Sequence, residues 1–472
     1  MKVVEIVKKI KNKEISAVEV LNYYLTEIQK KNKEKNAIIE VFVQSATAQA
    51  KLIDEKVQKG EHLGKLAGVP ILIKDNILYK DHIASCASAF LKNYKAQYSS
   101  TVVTKLLNED AVIIGRANMD EFAMGGSNEK SYYGPCHNAI NSEYVAGGSS
   151  GGSAVAVACG MVPCALGTDT GGSIRQPSSY NGVVGMKGTY GRVSRYGVVA
   201  FASSLDQVGP ITTCVEDNAL LLSVVAGVDK CDDTTLNAPV PNYEQNITSD
   251  KPKLTIGVIK ELNELLKDDN KFKIVVEWYK NAGFEIKEVS VPHIKLCLPV
   301  YYILAPAEAT SNLGRFDGVK YTTRAENAST LAEIYDYSRS YGFGKEVKRR
   351  IMLGNFVLSS GYFDAYYNKA KKIQQMIKNE FSKAFDDCDV VILPTTYGEA
   401  FKIGELTNPV DMYLEDMFTI PANIASLPSI NLPYGKGENG LPLGYQIMGN
   451  KLQEDKLYNL ASYFEKNYKE EI

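Results

Sequence analysis

Between Gly147 and Gly191 the chain reads GGSSGGSAVAVACGMVPCALGTDTGGSIRQPSSYNGVVGMKGTYG. Glycine is the residue for backbone that must take a positive φ or come very close to something else. Here it brackets serines twice, at Gly147-Gly148-Ser149-Ser150-Gly151-Gly152 and at Thr170-Gly171-Gly172-Ser173. The Ala/Val run between them reads as a short, fully buried helix followed by a strand. The segment therefore has to fold as turn, buried helix, strand, turn. It presents two serines from two tight turns, with free backbone N–H groups beside them. Those are the parts of a nucleophile and an oxyanion hole.

The rest of the chain supplies the frame. Val3, Ile6, Val7 and Ile10 recur at helical spacing, and Ser16 with Glu19 forms a capping box for a second helix through Leu21, Tyr24, Leu25 and Ile28. From about residue 66, short apolar strands alternate with longer helices. Candidate strands are Val69–Ile73, Ala111–Ile114, Val162–Leu166, Thr255–Ile259, Phe284–Val291 and Val390–Leu393. Lys271–Ala282 reads as a helix between two of them, the order of an α/β unit. A long helical stretch is expected from Gly344 to Phe385, and residues 231–253 form a polar, proline-containing connector. Length alone allows about two to four domain-sized units. With no internal repeat, the pattern fits one large α/β domain over 1–472. Its parts are a helical region at 1–60, a core at 66–215, and the remaining sheet and helices at 254–472.

Two familiar readings of a glycine-rich loop fail. A phosphate-cradling loop needs GxxxxGK[ST], and the nearest approach, Gly185–Thr189, lacks that spacing. A GxSxG nucleophile elbow is formally present with Ser150 at its centre, but it requires a histidine base and a preceding strand. The four histidines, at 62, 82, 137 and 293, lie in no distinctive setting, and residues 141–146 are polar and loop-like. A single GGS would read as a tight core turn; two joined by a buried helix do not. Lysine becomes a base when burial makes its ammonium form costly. Lys74, at the end of the uniformly apolar strand GVPILIK, is the candidate, although a lone lysine at a strand end is ordinarily a solvated cap.

With 45% apolar and 23% charged residues, the composition is that of a globular protein. A formal charge of −2 gives no electrostatic reason for the chain itself to grip nucleic acid. It leaves room for an RNA-handling complex whose basic surface lies on another subunit. No stretch approaches the roughly 20 apolar residues of a membrane helix, and no signal-peptide core precedes the first helix, so cytoplasm is the expected location. The eight cysteines (86, 136, 159, 164, 214, 231, 297, 388) are scattered without a CxxC pair. Neither a disulfide framework nor a structural metal is expected.

GGSSGGSAVAVACG, LGTDTGGSIRQPSSYNGVVGMK and GVPILIKDNI together resemble the two signature halves and the lysine motif of the amidase signature family. The resemblance implies a mixed, twisted β-sheet covered by helices on both faces, and a Ser–cis-Ser–Lys triad. By motif the nucleophile is Ser173, the bridging serine Ser149 and the base Lys74. The intervals of 75 and 24 residues match. The oxyanion hole falls on the N–H groups of Thr170, Gly171, Gly172 and Ser173. Asp169 and Arg175 are expected to hold the loop in shape, and Ser150 becomes a bystander.

Four further segments, at 117–135, 190–210, 342–367 and 411–435, are similar to one branch, the glutaminase A subunits of aspartyl/glutamyl-tRNA amidotransferases. That branch implies L-glutamine as substrate. Arg350 (or Arg349) would take its α-carboxylate, Asp416 its α-amino group, and Tyr301 (or Tyr302) would wall the side-chain amide. It also implies B and C partner subunits, with ATP and magnesium used on the partner, where ammonia amidates Glu-tRNA(Gln) or Asp-tRNA(Asn). No cofactor is expected on this chain. A stand-alone amidase for small or aryl amides would carry the same signature residues, and a scaffold without activity would have no need to retain them.

Overall fold

Among the described residues, eleven strands form one continuous sheet: β1 (Ile38–Val41), β2 (Pro70–Lys74), β3 (Val112–Ala117), β4 (Cys164–Asp169), β5 (Val184–Lys187), β6 (Gln207–Thr212), β7 (Thr255–Ile259), β8 (Glu285–Val289), β9 (Val390–Pro394), β10 (Ser429–Lys436) and β11 (Pro442–Gly449). Their spatial order is β1-β3-β2-β4-β6-β5-β10-β11-β9-β7-β8. This computed structural model describes residues 1–248, 250–262 and 270–469, so residue 249 of the 231–253 connector and residues 470–472 lie outside it. The sheet is mixed, as expected. β2 runs parallel to both β3 and β4, and β7 runs parallel to β8 and β9. The strands between those groups pair antiparallel.

Alternate residues of a strand point to opposite faces. Along β9, Val390 and Ile392 enter one apolar cluster while Val391 and Leu393 enter another. Both faces are thus covered. The first cluster also takes in the N-terminal helices Val3–Lys11 and Ala17–Lys35. In the second of these helices, Ser16 and Glu19 close the expected capping box.

All six sequence-derived strands are present, with small shifts of boundary, and the helix at 271–282 is Asn270–Asn281. One expectation is corrected. The stretch from Gly344 to Phe385 is not continuous. It divides into Lys345–Leu358, a π-helical turn at Phe363–Asn368, and Lys369–Asp387. The break falls at Ser359–Gly361: Ser359 turns to extended backbone (φ −72°, ψ 155°) and ends the first helix, and Gly361 follows at a φ of +87°.

Parallel neighbours bring their ends to the same edge of the sheet. Because β2 and β4 pair with Ile73 opposite Leu166, Lys74 and Thr168 emerge together at the carboxyl ends of adjacent strands. Ligands in α/β sheets bind at such ends.

Candidate active site

The Lys74 side chain is completely buried. Its Nζ lies 2.8 Å from Ser149 Oγ, 2.8 Å from Ser150 Oγ, 2.9 Å from Thr168 Oγ1 and 3.3 Å from the Thr168 carbonyl. Burial pushes the amine down to about 7, against the pull of Asp120, Asp169 and Asp206. A neutral amine has two N–H bonds and one lone pair, so one neighbouring hydroxyl has to donate to it. Ser150 is poorly placed for that. Its hydroxyl donates to the Thr168 carbonyl at 3.1 Å and accepts the Thr168 N–H at 3.2 Å. Ser149, reached through a cis Gly148–Ser149 peptide, has the lysine as its side-chain partner. Ser149 Oγ is thus, with Thr168 Oγ1, one of two hydroxyls placed to donate to the lone pair. Ser150, expected to be a bystander, instead holds the Lys74 amine at 2.8 Å.

The helix Gly151–Ala158 and strand β4 lead from the first serine turn to the second. Ser173 sits at 8% exposure, the most accessible member of the trio. Its carbonyl accepts the Ser150 N–H at 3.1 Å, which ties the two turns together. Its hydroxyl has no hydrogen-bond partner among the described residues.

The second turn is held from below by Asp169. Its carboxylate accepts the N–H of Gly172 (2.9 Å) and of Ile174 (3.2 Å), and pairs with the Arg175 guanidinium at 3.0 and 3.1 Å. Although burial opposes ionisation, Arg175 keeps the Asp169 carboxyl down at about 2. Arg175 goes on to reach Thr419 O, Asn423 Oδ1 and Gln446 Oε1. This is the expected structural role, and it carries a correction. The Gly172 N–H, expected as an oxyanion donor, is taken by the Asp169 carboxylate. Gly172 itself sits at φ +136°, and a Cβ there would collide with Thr419. Thr170 is fixed separately, donating through its hydroxyl to Asp206 at 2.7 Å.

The residues proposed to hold an amino acid head group converge beside this turn. The ring of Tyr301 lies over Gly171, where a Cβ would stand 2.8 Å from Cζ of the ring. Tyr302, by contrast, donates its hydroxyl to Asp416 Oδ2 at 2.8 Å. Burial pushes the Asp416 carboxyl up to about 7. Arg350 is buried, bonded through Nε to Glu346 Oε1 at 2.9 Å, and its guanidinium lies 5.4–5.6 Å from the ring centres of Tyr302, Tyr413 and Phe201. Arg349 is half-exposed and pairs with Glu346 from the outside. Arg350 is thus buried where Arg349 faces outward, and Tyr301 packs on Gly171 where Tyr302 is committed to Asp416.

A cavity of about 500 Å³ opens beside these groups, lined in part by Glu121, Gly126, Ser127, Arg350 and Tyr413. Ser127 is a residue the sequence did not single out. Its hydroxyl is buried and has no hydrogen-bond partner among the described residues, an arrangement native proteins rarely leave unexplained. Only the fold carries that signal.

Residues 19–458 match the family model described as Amidase. The chain belongs to the amidase family. It is 50% identical over 468 residues to the A subunit of the glutamyl-tRNA(Gln) amidotransferase of Bacillus licheniformis, covering 98% of this chain and 96% of the relative. With the corresponding A subunit of Brevibacillus brevis it shares 48% identity over 466 residues, covering 98% and 95%. Among solved structures, the A subunit of glutamyl-tRNA(Gln) amidotransferase from Thermotoga maritima superimposes with a TM-score of 0.79 at 40% identity. That match covers 96% of this chain and 92% of the other.

For an amidase whose base is an amine near 7, the pH dependence follows directly. The ammonium form has no lone pair to receive a proton, so it is inactive. We expect kcat to fall about tenfold per pH unit below about 7 and to level off above it. A rate profile from pH 5.5 to 9 checks this. A limb centred near 4 would remove Lys74 from the rate-limiting ionisation.

Proposed function

We propose that this chain is the glutamine-hydrolysing subunit of a tRNA-dependent amidotransferase, with Ser173 as nucleophile, Ser149 as proton bridge and Lys74 as base. The observation that carries the reading is a buried, neutral-prone lysine against Ser149 with a buried arginine and a carboxylate beside the same turn. Such a site suits an amide that also bears an α-amino acid head. Arg350 takes the α-carboxylate, for which its planar fork is suited. Asp416 takes the α-ammonium, whose charge draws the carboxyl into its ionised form. Tyr301 walls the carboxamide against Gly171, and Ser127 offers its free hydroxyl to the head group.

In the reaction, Lys74 withdraws the Ser149 proton as Ser149 withdraws that of Ser173, and Ser173 Oγ bonds to the carboxamide carbon. The N–H groups of Thr170, Gly171 and Ser173 meet the resulting oxyanion, each donor contributing about 3 kcal/mol. The proton returns through Ser149 to the amide nitrogen, the C–N bond breaks, and ammonia leaves a γ-glutamyl ester on Ser173. Water, deprotonated along the same route, releases glutamate. Ammonia then passes to partner subunits, B with a bracing C, which use ATP and magnesium to amidate Glu-tRNA(Gln) or Asp-tRNA(Asn). The chain itself uses no cofactor in this scheme, and the complex works in the cytoplasm. Among the described residues, no helix is long and apolar enough to cross a membrane.

The test is ammonia release from L-glutamine against simple alkyl and aryl amides, with and without co-purified subunits. Preference for glutamine supports the reading, and turnover of simple amides alone overturns it. Arg350→Ala is expected to raise the KM for glutamine about 50-fold with a smaller change in kcat, since a charge-assisted bond contributes about 1.5–3 kcal/mol. An unchanged KM would take Arg350 out of the binding site.

A further inference from the structure

The geometry points to Glu121 as a positioning residue for substrate recognition: it holds the helix that carries Arg350, and so sets where the guanidinium meets the substrate. This rests on the reading that Arg350 binds the α-carboxylate of glutamine.

Glu121 is buried, and its two carboxylate oxygens face different parts of the molecule. Oε1 accepts the Ser88 hydroxyl at 2.5 Å, and Oε2 accepts the Gly344 N–H at 2.8 Å. Gly344 is the N-cap of Lys345–Leu358, and as a glycine it brings no capping side chain. The acceptor that a helix N-terminus needs therefore comes from more than 220 residues away in the chain. Arg350 follows less than two turns later on that helix.

The other side of the contact leads back to the base. Ser88 lies on the loop after β2, where the carboxylate of Asp75, the residue next to Lys74, accepts the N–H groups of Ser85 and Ala87. Phe122 N–H bonds to Cys86 O at 2.9 Å, which locks the Glu121 turn onto the same loop. Ser88 also reaches the Gly342 carbonyl at 3.2 Å. One buried carboxylate thus joins the loop beyond the catalytic strand to the start of the head-group helix. The two glycines flanking Phe343 admit that approach. A Cβ on Gly344 would collide with Glu121, and one on Gly342 would stand 2.5 Å from the ring of Phe90.

The experiment compares L-glutamine with 4-aminobutanamide, which is glutamine without its α-carboxylate. Full-length chain, purified with the subunits that accompany it, is assayed for ammonia release. In Glu121→Ala we expect the ratio of kcat/KM for glutamine to that for 4-aminobutanamide to fall about tenfold, with the change in KM for glutamine exceeding that in kcat. Glu121→Gln should recover the ratio to within about threefold, since its carbonyl can still accept the Gly344 N–H. Gly344→Ala perturbs the same contact from the helix side while keeping the charge, and should reproduce the loss even where Glu121→Ala does not fold. Equal losses on both amides, or no change in the ratio, in the variants that fold overturn the proposal. Arg350→Ala separates it from its premise. If that variant leaves the ratio intact, the carboxylate assignment has failed. If it lowers the ratio while Glu121→Ala and Gly344→Ala do not, only the role of Glu121 has.

Discussion

Ser173→Ala is expected to reduce glutamine hydrolysis by about 10⁵-fold or more, the scale on which serine hydrolases lose activity when the nucleophile is deleted. It should do so without measurable loss of the fold. The hydroxyl has no hydrogen-bond partner among the described residues, and the one structural duty of Ser173, its carbonyl accepting the Ser150 N–H, belongs to the backbone and survives in alanine. Stability should change by less than about 1 kcal/mol. Ammonia release and thermal denaturation on one preparation separate the two effects. Retained activity would hand the nucleophile to another serine. Ser150 would be a poor heir, since its proton is directed at the Thr168 carbonyl.

Lys74→Met should lower kcat by about 10³–10⁴-fold, because Ser149 would then have no acceptor for its proton. Its effect on stability depends on pH in a way that no surface lysine would show. In the folded chain the amine is held near 7, below the ordinary 10.5 it takes when unfolded. Between those values the unfolded chain binds the extra proton, so the wild type loses about 1.4 kcal/mol of stability for each pH unit of acidification. Below about 7 both states are protonated and the penalty is constant. Methionine has nothing to protonate, but it leaves Ser149, Ser150 and Thr168 without a shared partner, at about 1–3 kcal/mol for each unsatisfied group. Denaturation of both proteins at pH 7 and pH 9 should therefore show the variant gaining on the wild type as pH falls. A difference independent of pH would mean that Lys74 is charged in the folded chain.

What could be read from residue order was local. The N-terminal helices announce themselves by apolar spacing and by the Ser16–Glu19 box, and six strands by continuous apolar runs. The five strands not singled out are short or interrupted. β6 contains Gly209 and Pro210, β10 contains Pro433 and Gly435, and β11 opens on Pro442. Two of them also bury polar residues, Asn431 and Gln446, whose partners lie elsewhere in the chain. A pattern of apolar residues cannot reveal a strand stabilised by such remote hydrogen bonds. The same limit applies to the site. The two serine turns are visible because glycine is visible, whereas Ser150 and Glu121 are marked by the partners the fold brings to them and Ser127 by the lack of one among the described residues. The commitment of the Gly172 N–H to Asp169 is likewise a fact of distance, not of motif.

Arg175 bears on how the molecule comes into being. Its guanidinium reaches acceptors at Thr419, Asn423 and Gln446, and β5, close behind it in sequence, takes β10 as a neighbour. On the ribosome, Lys74, Ser149 and Ser173 are all synthesised well before Thr419, Asn423 and Gln446. The support under the Ser173 turn is completed only when β10 and β11 arrive, more than 250 residues later. A nascent chain therefore carries Lys74, Ser149 and Ser173 before it has the groups that hold the Ser173 turn, and the turn gains its last support when β11 has been made.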